Sequence, residues 1–158
     1  MINLSASPFT IGKFKNRQKI ANYASNKLKT KTIYLNQIGG NDDLIFDGSS
    51  FILDRGGEKI KQLSSCKEDF YCWNMNKQKN MLHDERNISD LESIFDALVL
   101  GVKDYAKKCG FKTALIGLSG GIDSALVTVI ATAALGSKNV FSIAMPSKWN
   151  SINSKIER

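Results

Sequence analysis

TALIGLSGGIDSALVTVIATAALG occupies residues 113–136. Its opening, TALIGLS, is the kind of apolar run found in a strand buried on both faces. From Ile122 onward the residues are almost all apolar, which predicts a buried helix. Downstream, NVFSIAM (139–145) reads as a second buried strand, ended by Pro146. Strand, glycine-rich turn, helix and strand make one βαβ unit, whose two strands must run parallel. The fold class is therefore α/β.

The turn carries the chemistry. Gly117, Ser119, Gly120, Gly121, Asp123 and Ser124 crowd the point where a strand feeds a helix N-terminus. Several N–H groups there have no intrahelical acceptor, and the helix dipole favours negative charge. Glycines let a ligand approach the backbone, and two hydroxyls add donors. Such a loop is an anion site. It lacks the Lys of GxxxxGK[ST] and the glycine spacing of GxGxxG. Instead Asp123 stands where phosphates would lie. Two readings fit it: a ligand of a Mg²⁺ shared with phosphate oxygens, or a carboxylate that only complements the dipole.

Upstream, Ser89-x-x-Glu92 is a capping box. Leu91, Ile94, Phe95, Leu98, Val99, Val102 and Tyr105 follow at helical spacing, with Gly110 as the residue past the end. Residues 63–88 are polar, without a sustained period, and read as a connector. Its lone His83 has no ligand-spaced partner. Residues 1–62 read strand, helix, strand, hairpin. The helix is TIGKFKNRQKIANYASNKLK (10–29), with an apolar stripe of Phe14, Ile20 or Ala21, Ala24 and Leu28. TIYLNQI (32–38) is a strand, 39–43 a turn, and LIFDGSSFILD (44–54) a pair of strands around Asp47-Gly48. Arg55-Gly56-Gly57 turns the chain again.

The 158 residues carry a net charge of +7. The excess is mostly Lys spread along the chain, without interleaved Arg and aromatics, so solvated surface lysines are expected and no nucleic-acid partner. No apolar run reaches the ~20 residues of a membrane span. Cys66, Cys72 and Cys109 have no metal spacing and are odd in number, which fits reduced thiols in the cytoplasm. Cys109, at a helix end, reads as a packing residue.

SGGIDS (119–124) has the form SGGxDS and resembles the pyrophosphate loop of ATP pyrophosphatases. DALVLGVKDYAKKCGFKTALIGLSGGIDSALV (96–127) and MPSKWNSINS (145–154) look like glutamine-dependent NAD synthetases. SASPFTIGK-x-x-x-R (5–17), YLNQIGG (34–40) and DLIFDGSSF (43–51) resemble the end of that family's nitrilase-like glutaminase domain. Asn41, Asp43 and Ser49 depart from its usual Gln, Glu and Gly.

The resemblance implies residues 1–62 as the C-terminal part of an αββα glutaminase domain, 63–88 as a connector, and 89–158 as the N-terminal part of a Rossmann-like synthetase domain. It implies a ligase that adenylates deamido-NAD⁺ with ATP and Mg²⁺, then amidates it with ammonia from glutamine. Gly117, Leu118, Ser119, Gly120, Gly121, Ile122, Asp123 and Ser124 would hold ATP, with Asp123 on the metal. Met145 and Ser147 would lie near AMP, and Ser7 and Lys13 would hold glutamine. The partners implied are these small molecules, with homo-oligomers among full-length relatives and no membrane. The family's Cys nucleophile and its Glu and Lys partners lie upstream of the NLSASPF-like segment. The chain therefore reads as an internal piece without glutaminase catalytic residues. A different SGGxDS enzyme, such as a tRNA-modifying one, and an inactive gene remnant stay open at this level.

Overall fold

A computed structural model describes residues 1–75 and 89–144. The chain divides into two compact units, Met1–Ala97 and Leu98–Arg158. Both are α/β.

In the first unit, β1 (Ile2–Ser5), α1 (Lys13–Leu28) and β2 (Thr32–Asn36) follow one another, and β1 pairs parallel with β2. A short hairpin of β3 (Ile38–Asn41) and β4 (Leu44–Asp47) comes next, then β5 (Phe51–Leu53) and β6 (Lys59–Gln62). The main sheet has the order β1-β2-β5-β6, and β3-β4 form a sheet of their own. The expected hairpin around Asp47-Gly48 does not form: β4 pairs with β3, whereas β5 pairs with β2 and β6. The reason is local. Gly48 and Ser49 both take left-handed conformations, φ 64° and 51°. They swing the chain from one sheet to the other. Gly39 and Gly40, expected in a turn, lie in β3, and the hairpin turns at Asp42-Asp43 alone. Asp42 has φ 50°, which Asp tolerates better than most residues.

α1 packs on β2 and β5. Ala21, Tyr34, Phe51 and Leu53 form the buried cluster, with Phe14 against it. Phe51 is 0% and Leu53 1% exposed, each contributing about 1.5–3 kcal/mol by burial. The Tyr34 and Phe51 rings stack at 4.9 Å, and Phe14 meets Phe51 edge-on at 6.2 Å. The predicted stripe on α1 is partly wrong. Ile20 and Leu28 are exposed, while Arg17, Ala21 and Ser25 are buried at i, i+4 and i+8. Two polar residues occupy that row with side-chain partners of their own, although the buried Arg17 Nε has none. Ser25 hydrogen-bonds Thr32. Arg17 makes a two-pronged pair with Asp47, at 2.6 Å and 3.3 Å, both side chains buried.

Gly57 (φ 87°) closes the β5–β6 turn, where the Asp54 carboxylate accepts from the N–H groups of Gly56 and Glu58 at 2.8 Å each. A Cβ at Gly57 would fall 2.8 Å from the Asn22 carbonyl oxygen, so the bare glycine lets this turn sit against α1. Past Gln62 the chain stays tied to this unit. Ser49 N–H donates to Ser64 O, Leu63 N–H to Ser50 O and Cys66 N–H to Asp47 O. The Asp69 carboxylate accepts from the Ser64 N–H and hydroxyl, which holds its pKa below the usual range. The part of the connector that carries His83 lies outside the described residues.

α2 (Asp90–Cys109) starts at its expected cap, with Glu92 N–H donating to Ser89 Oγ at 3.2 Å. It ends at Gly110 (φ 76°), where Phe111 N–H reaches Ala106 O at 2.8 Å. Its predicted apolar row is only partly covered. Leu91, Leu98 and Tyr105 are exposed, and the small Ala97 and Ala106 are buried instead.

The second unit holds β7 (Ala114–Leu118), α3 (Ile122–Leu135), one 3-10 turn at Ser137–Asn139 and β8 (Val140–Ala144). β7 and β8 pair parallel, with Ala114 opposite Val140 and Leu118 opposite Ala144. The βαβ unit is as expected, but its burial is not. Leu115 is 67% and Ile122 84% exposed, and Phe141 and Ile143 are also open. Among the described residues no further layer lies over these side chains.

The buried ion pair gives a direct test of the first unit. Arg17→Met leaves Asp47 buried without its cation and should cost about 3–5 kcal/mol in urea unfolding. Adding Asp47→Leu should recover most of that loss. A single variant as stable as the parent would show that the pair does not hold α1.

Candidate functional site

β7 ends at Leu118, and α3 begins four residues later at Ile122. The tight passage needs Gly120, whose φ is 86°. Gly121 then serves as N-cap with an extended backbone and no side-chain capping bond. α2 in the same chain is capped by Ser89. α3 is left bare. The first helical bond runs from Ala125 N–H to Gly121 O at 3.3 Å. By helix geometry the N–H groups of Ile122, Asp123 and Ser124 precede it and have no intrahelical acceptor.

The two serines brace the loop. Gly121 N–H donates to Ser119 Oγ at 3.3 Å, and Ser119 N–H to Ser124 Oγ at 3.3 Å. Ser124 Oγ donates to Gly121 O at 2.9 Å, which uses its one proton. The two hydroxyls also lie 3.2 Å from each other. These bonds close a ring inside the loop. Asp123 stands exposed in the first turn of α3. Among the described residues no three His, Cys, Asp or Glu side chains gather as a metal site. A cation at Asp123 would need further oxygens from a ligand.

Ser7 and Lys13 belong to the first unit, Ser7 in the segment between β1 and α1 and Lys13 at the start of α1. Ser7 N–H donates to Asn36 Oδ1 at 2.8 Å, and Asn36 Nδ2 donates to Ser7 O at 3.1 Å. Lys13 is the first residue of α1, after Gly12 with φ 76°. A cavity of about 250 Å³ in this unit has Phe9, Phe14, Asp47 and Ser49 in its wall, and neither Ser7 nor Lys13 lines it. Met145 and Ser147 lie outside the described residues.

Sequence reasoning passed over Asn36, and it left Arg17 and Asp47 without a role. A signal for Arg17 existed: it falls in one helical row with Ala21 and Ser25, and a buried guanidinium requires an acid. Nothing in the sequence near Asn36 points to Ser7. The thiols are free. Burial pushes the Cys66 thiol up, and Cys109 is exposed rather than packed.

Residues 94–157 match the family model for NAD synthase. A relative from Synechocystis sp., named glutamine-dependent NAD(+) synthetase, is 44% identical over 98% of this chain and 28% of its own length. The chain is similar to glutamine-dependent NAD(+) synthetases through both of its units. A second such synthetase, from Acinetobacter baylyi, is 39% identical over 94% of the chain and likewise 28% of its own. The solved glutamine-dependent NAD⁺ synthetase of Acinetobacter baumannii, in complex with ADP, superposes with a TM-score of 0.89 at 35% identity. That match covers 98% of this chain and 30% of that one. The synthetase of Cytophaga hutchinsonii, at 16% identity and a TM-score of 0.72, shares the fold. The chain thus spans less than a third of the synthetases it matches.

The loop geometry separates two substitutions. Gly120→Ala forces a side chain into a left-handed conformation and should cost about 1–2 kcal/mol, clearly more than the next substitution. Asp123→Asn keeps a polar residue at the helix start and should cost under ~1 kcal/mol. Urea midpoints for both variants check this. Equal, small effects would mean that residue 120 does not need a positive φ.

Proposed function

We propose that the chain carries part of a glutamine-dependent NAD(+) synthetase. In this reading residues 1–62 are the C-terminal part of a nitrilase-like αββα glutaminase domain. Residues 63–88 are a connector. Residues 89–158 are the N-terminal part of an ATP pyrophosphatase-type domain, with its first βαβ unit. The reaction is amidation of deamido-NAD⁺ through an adenylate, with ammonia drawn from glutamine. The observation that carries the reading is a 44% identity running through both units, with a glycine-capped helix start at the matching loop.

The loop fits a polyphosphate. The bare first-turn amides of Ile122, Asp123 and Ser124 would donate to phosphate oxygens, and the helix dipole favours that charge. Gly120 and Gly121 present no side chain against the ligand, and Gly117, Leu118 and Ser119 lead the strand into the loop. Asp123 beside phosphate is repulsive on its own. Mg²⁺ held between its carboxylate and the phosphate oxygens would neutralise charge on the departing pyrophosphate. Met145 and Ser147 would flank the AMP portion, past the C-terminal end of β8. That the solved Acinetobacter baumannii synthetase is in complex with ADP supports a nucleotide as a ligand of the proposed enzyme.

On the glutaminase side Ser7 and Lys13 would hold substrate glutamine. No described helix is long and apolar enough to cross a membrane. The setting we propose is a cytoplasmic homo-oligomer acting on small molecules.

The test is ATP–pyrophosphate exchange in a complete synthetase that carries these residues. Asp123→Asn should lower exchange by about a hundredfold or more, the usual scale for losing such a charge interaction. Its unfolding midpoint should hardly move. Near-normal exchange at several Mg²⁺ concentrations would make Asp123 a helix-dipole residue and reject the metal role.

A further inference from the structure

We propose that Asn36 is a positioning residue for glutamine, setting the backbone of Ser7 by a two-pronged amide clamp. The proposal rests on the reading of Ser7 as a glutamine contact. β1 and β2 stay in register as far as Ser5 opposite Asn36. Beyond that the strands part and the 6–12 segment leaves the sheet. The Asn36 side chain continues the ladder where the main chain cannot. Its Oδ1 accepts the Ser7 N–H at 2.8 Å and its Nδ2 donates to Ser7 O at 3.1 Å. The orientation is fixed, because exchanging O and N would set donor against donor.

Asn36 is itself held. Its backbone N–H donates to the Oγ of buried Ser50 at 3.0 Å, and the next N–H, from Gln37, reaches Ser5 O at 2.9 Å. The far end of the segment is pinned as well, by Phe9 N–H to Ile45 O at 2.7 Å. Pro8 biases the preceding Ser7 toward extended backbone. Ser7 therefore has both of its main-chain polar groups tied to one side chain and a restricted ψ, which fixes the direction of its Cα–Cβ bond and so limits its hydroxyl to the staggered positions about that bond. Asp could keep only the accepting half of this clamp, and Ala neither half.

In a complete synthetase carrying these residues, Asn36→Ala should raise the KM for glutamine about tenfold, the scale of two lost neutral hydrogen bonds. Synthesis from added ammonia should be unchanged. Asn36→Asp should fall between the two. Exchange of the Ser7 amide with solvent, measured in the same variants, should quicken in Asn36→Ala and stay slow in Asn36→Asp. An unchanged glutamine KM in Asn36→Ala would overturn the proposal. An equal loss of glutamine- and ammonia-driven synthesis would do the same, because it marks a structural role only. A slow Ser7 amide in Asn36→Ala would remove the clamp itself. If Ser7→Ala leaves glutamine KM untouched while Asn36→Ala raises it, the assignment of Ser7 is what fails.

Discussion

Parallel strands cannot be joined by a hairpin, and that constraint organises both units. A parallel neighbour requires a crossover, here a helix, so the chain must leave the C-terminal end of one strand and enter a helix N-terminus. β1-α1-β2 and β7-α3-β8 each obey it. Both helices begin after a glycine that provides no side-chain cap, Gly12 for α1 and Gly121 for α3. The residues proposed to touch ligands lie in these two passages: Ser7 and Lys13 in one, Gly117–Ser124 in the other. Ligands of open α/β sheets favour this edge for the same reason.

The two passages are held by different means. The first is long, and distant partners fix it: Asn36 on Ser7, Ile45 on Phe9. It depends on the placement of β2 and β4, and hence on the core around Phe51 and on the Arg17–Asp47 pair that ties α1 to the end of β4. The second is short and self-contained. Ser119 and Ser124 close a ring of hydrogen bonds with Gly121, and only the positive φ of Gly120 is required to make the bend. A loop that stabilises itself can present its amides even though the surrounding faces, at Leu115 or Ile143, are open.

Local chemistry was the legible part of the sequence. The strand–glycine–helix passage, the Ser89 cap and the Gly110 stop could all be read, because each depends on residues within a turn of one another. What could not be read was set by distant partners. Residues 44–54 look like a hairpin, yet bonds from Ser49 to Ser64 and from Cys66 to Asp47, with two successive left-handed residues, send β4 and β5 into different sheets. Arg17 and Ser25 look like surface residues until Asp47 and Thr32 are placed beside them. The cover that the apolar faces of α3 and its strands call for is not among the described residues, because burial belongs to the neighbours as much as to the residue. Asn36 carries no local sign that its amide reaches Ser7.

The central claim is that the bare first turn of α3 receives phosphate with help from Asp123. Backbone amide NMR of the chain during titration with inorganic pyrophosphate, with and without Mg²⁺, addresses it most directly. The account predicts the largest shifts at Gly121, Ile122, Asp123 and Ser124, strengthened by Mg²⁺ and weakened in Asp123→Asn. Shifts confined to the surface lysines, or shifts in the loop that ignore both Mg²⁺ and the Asp123 substitution, would contradict it.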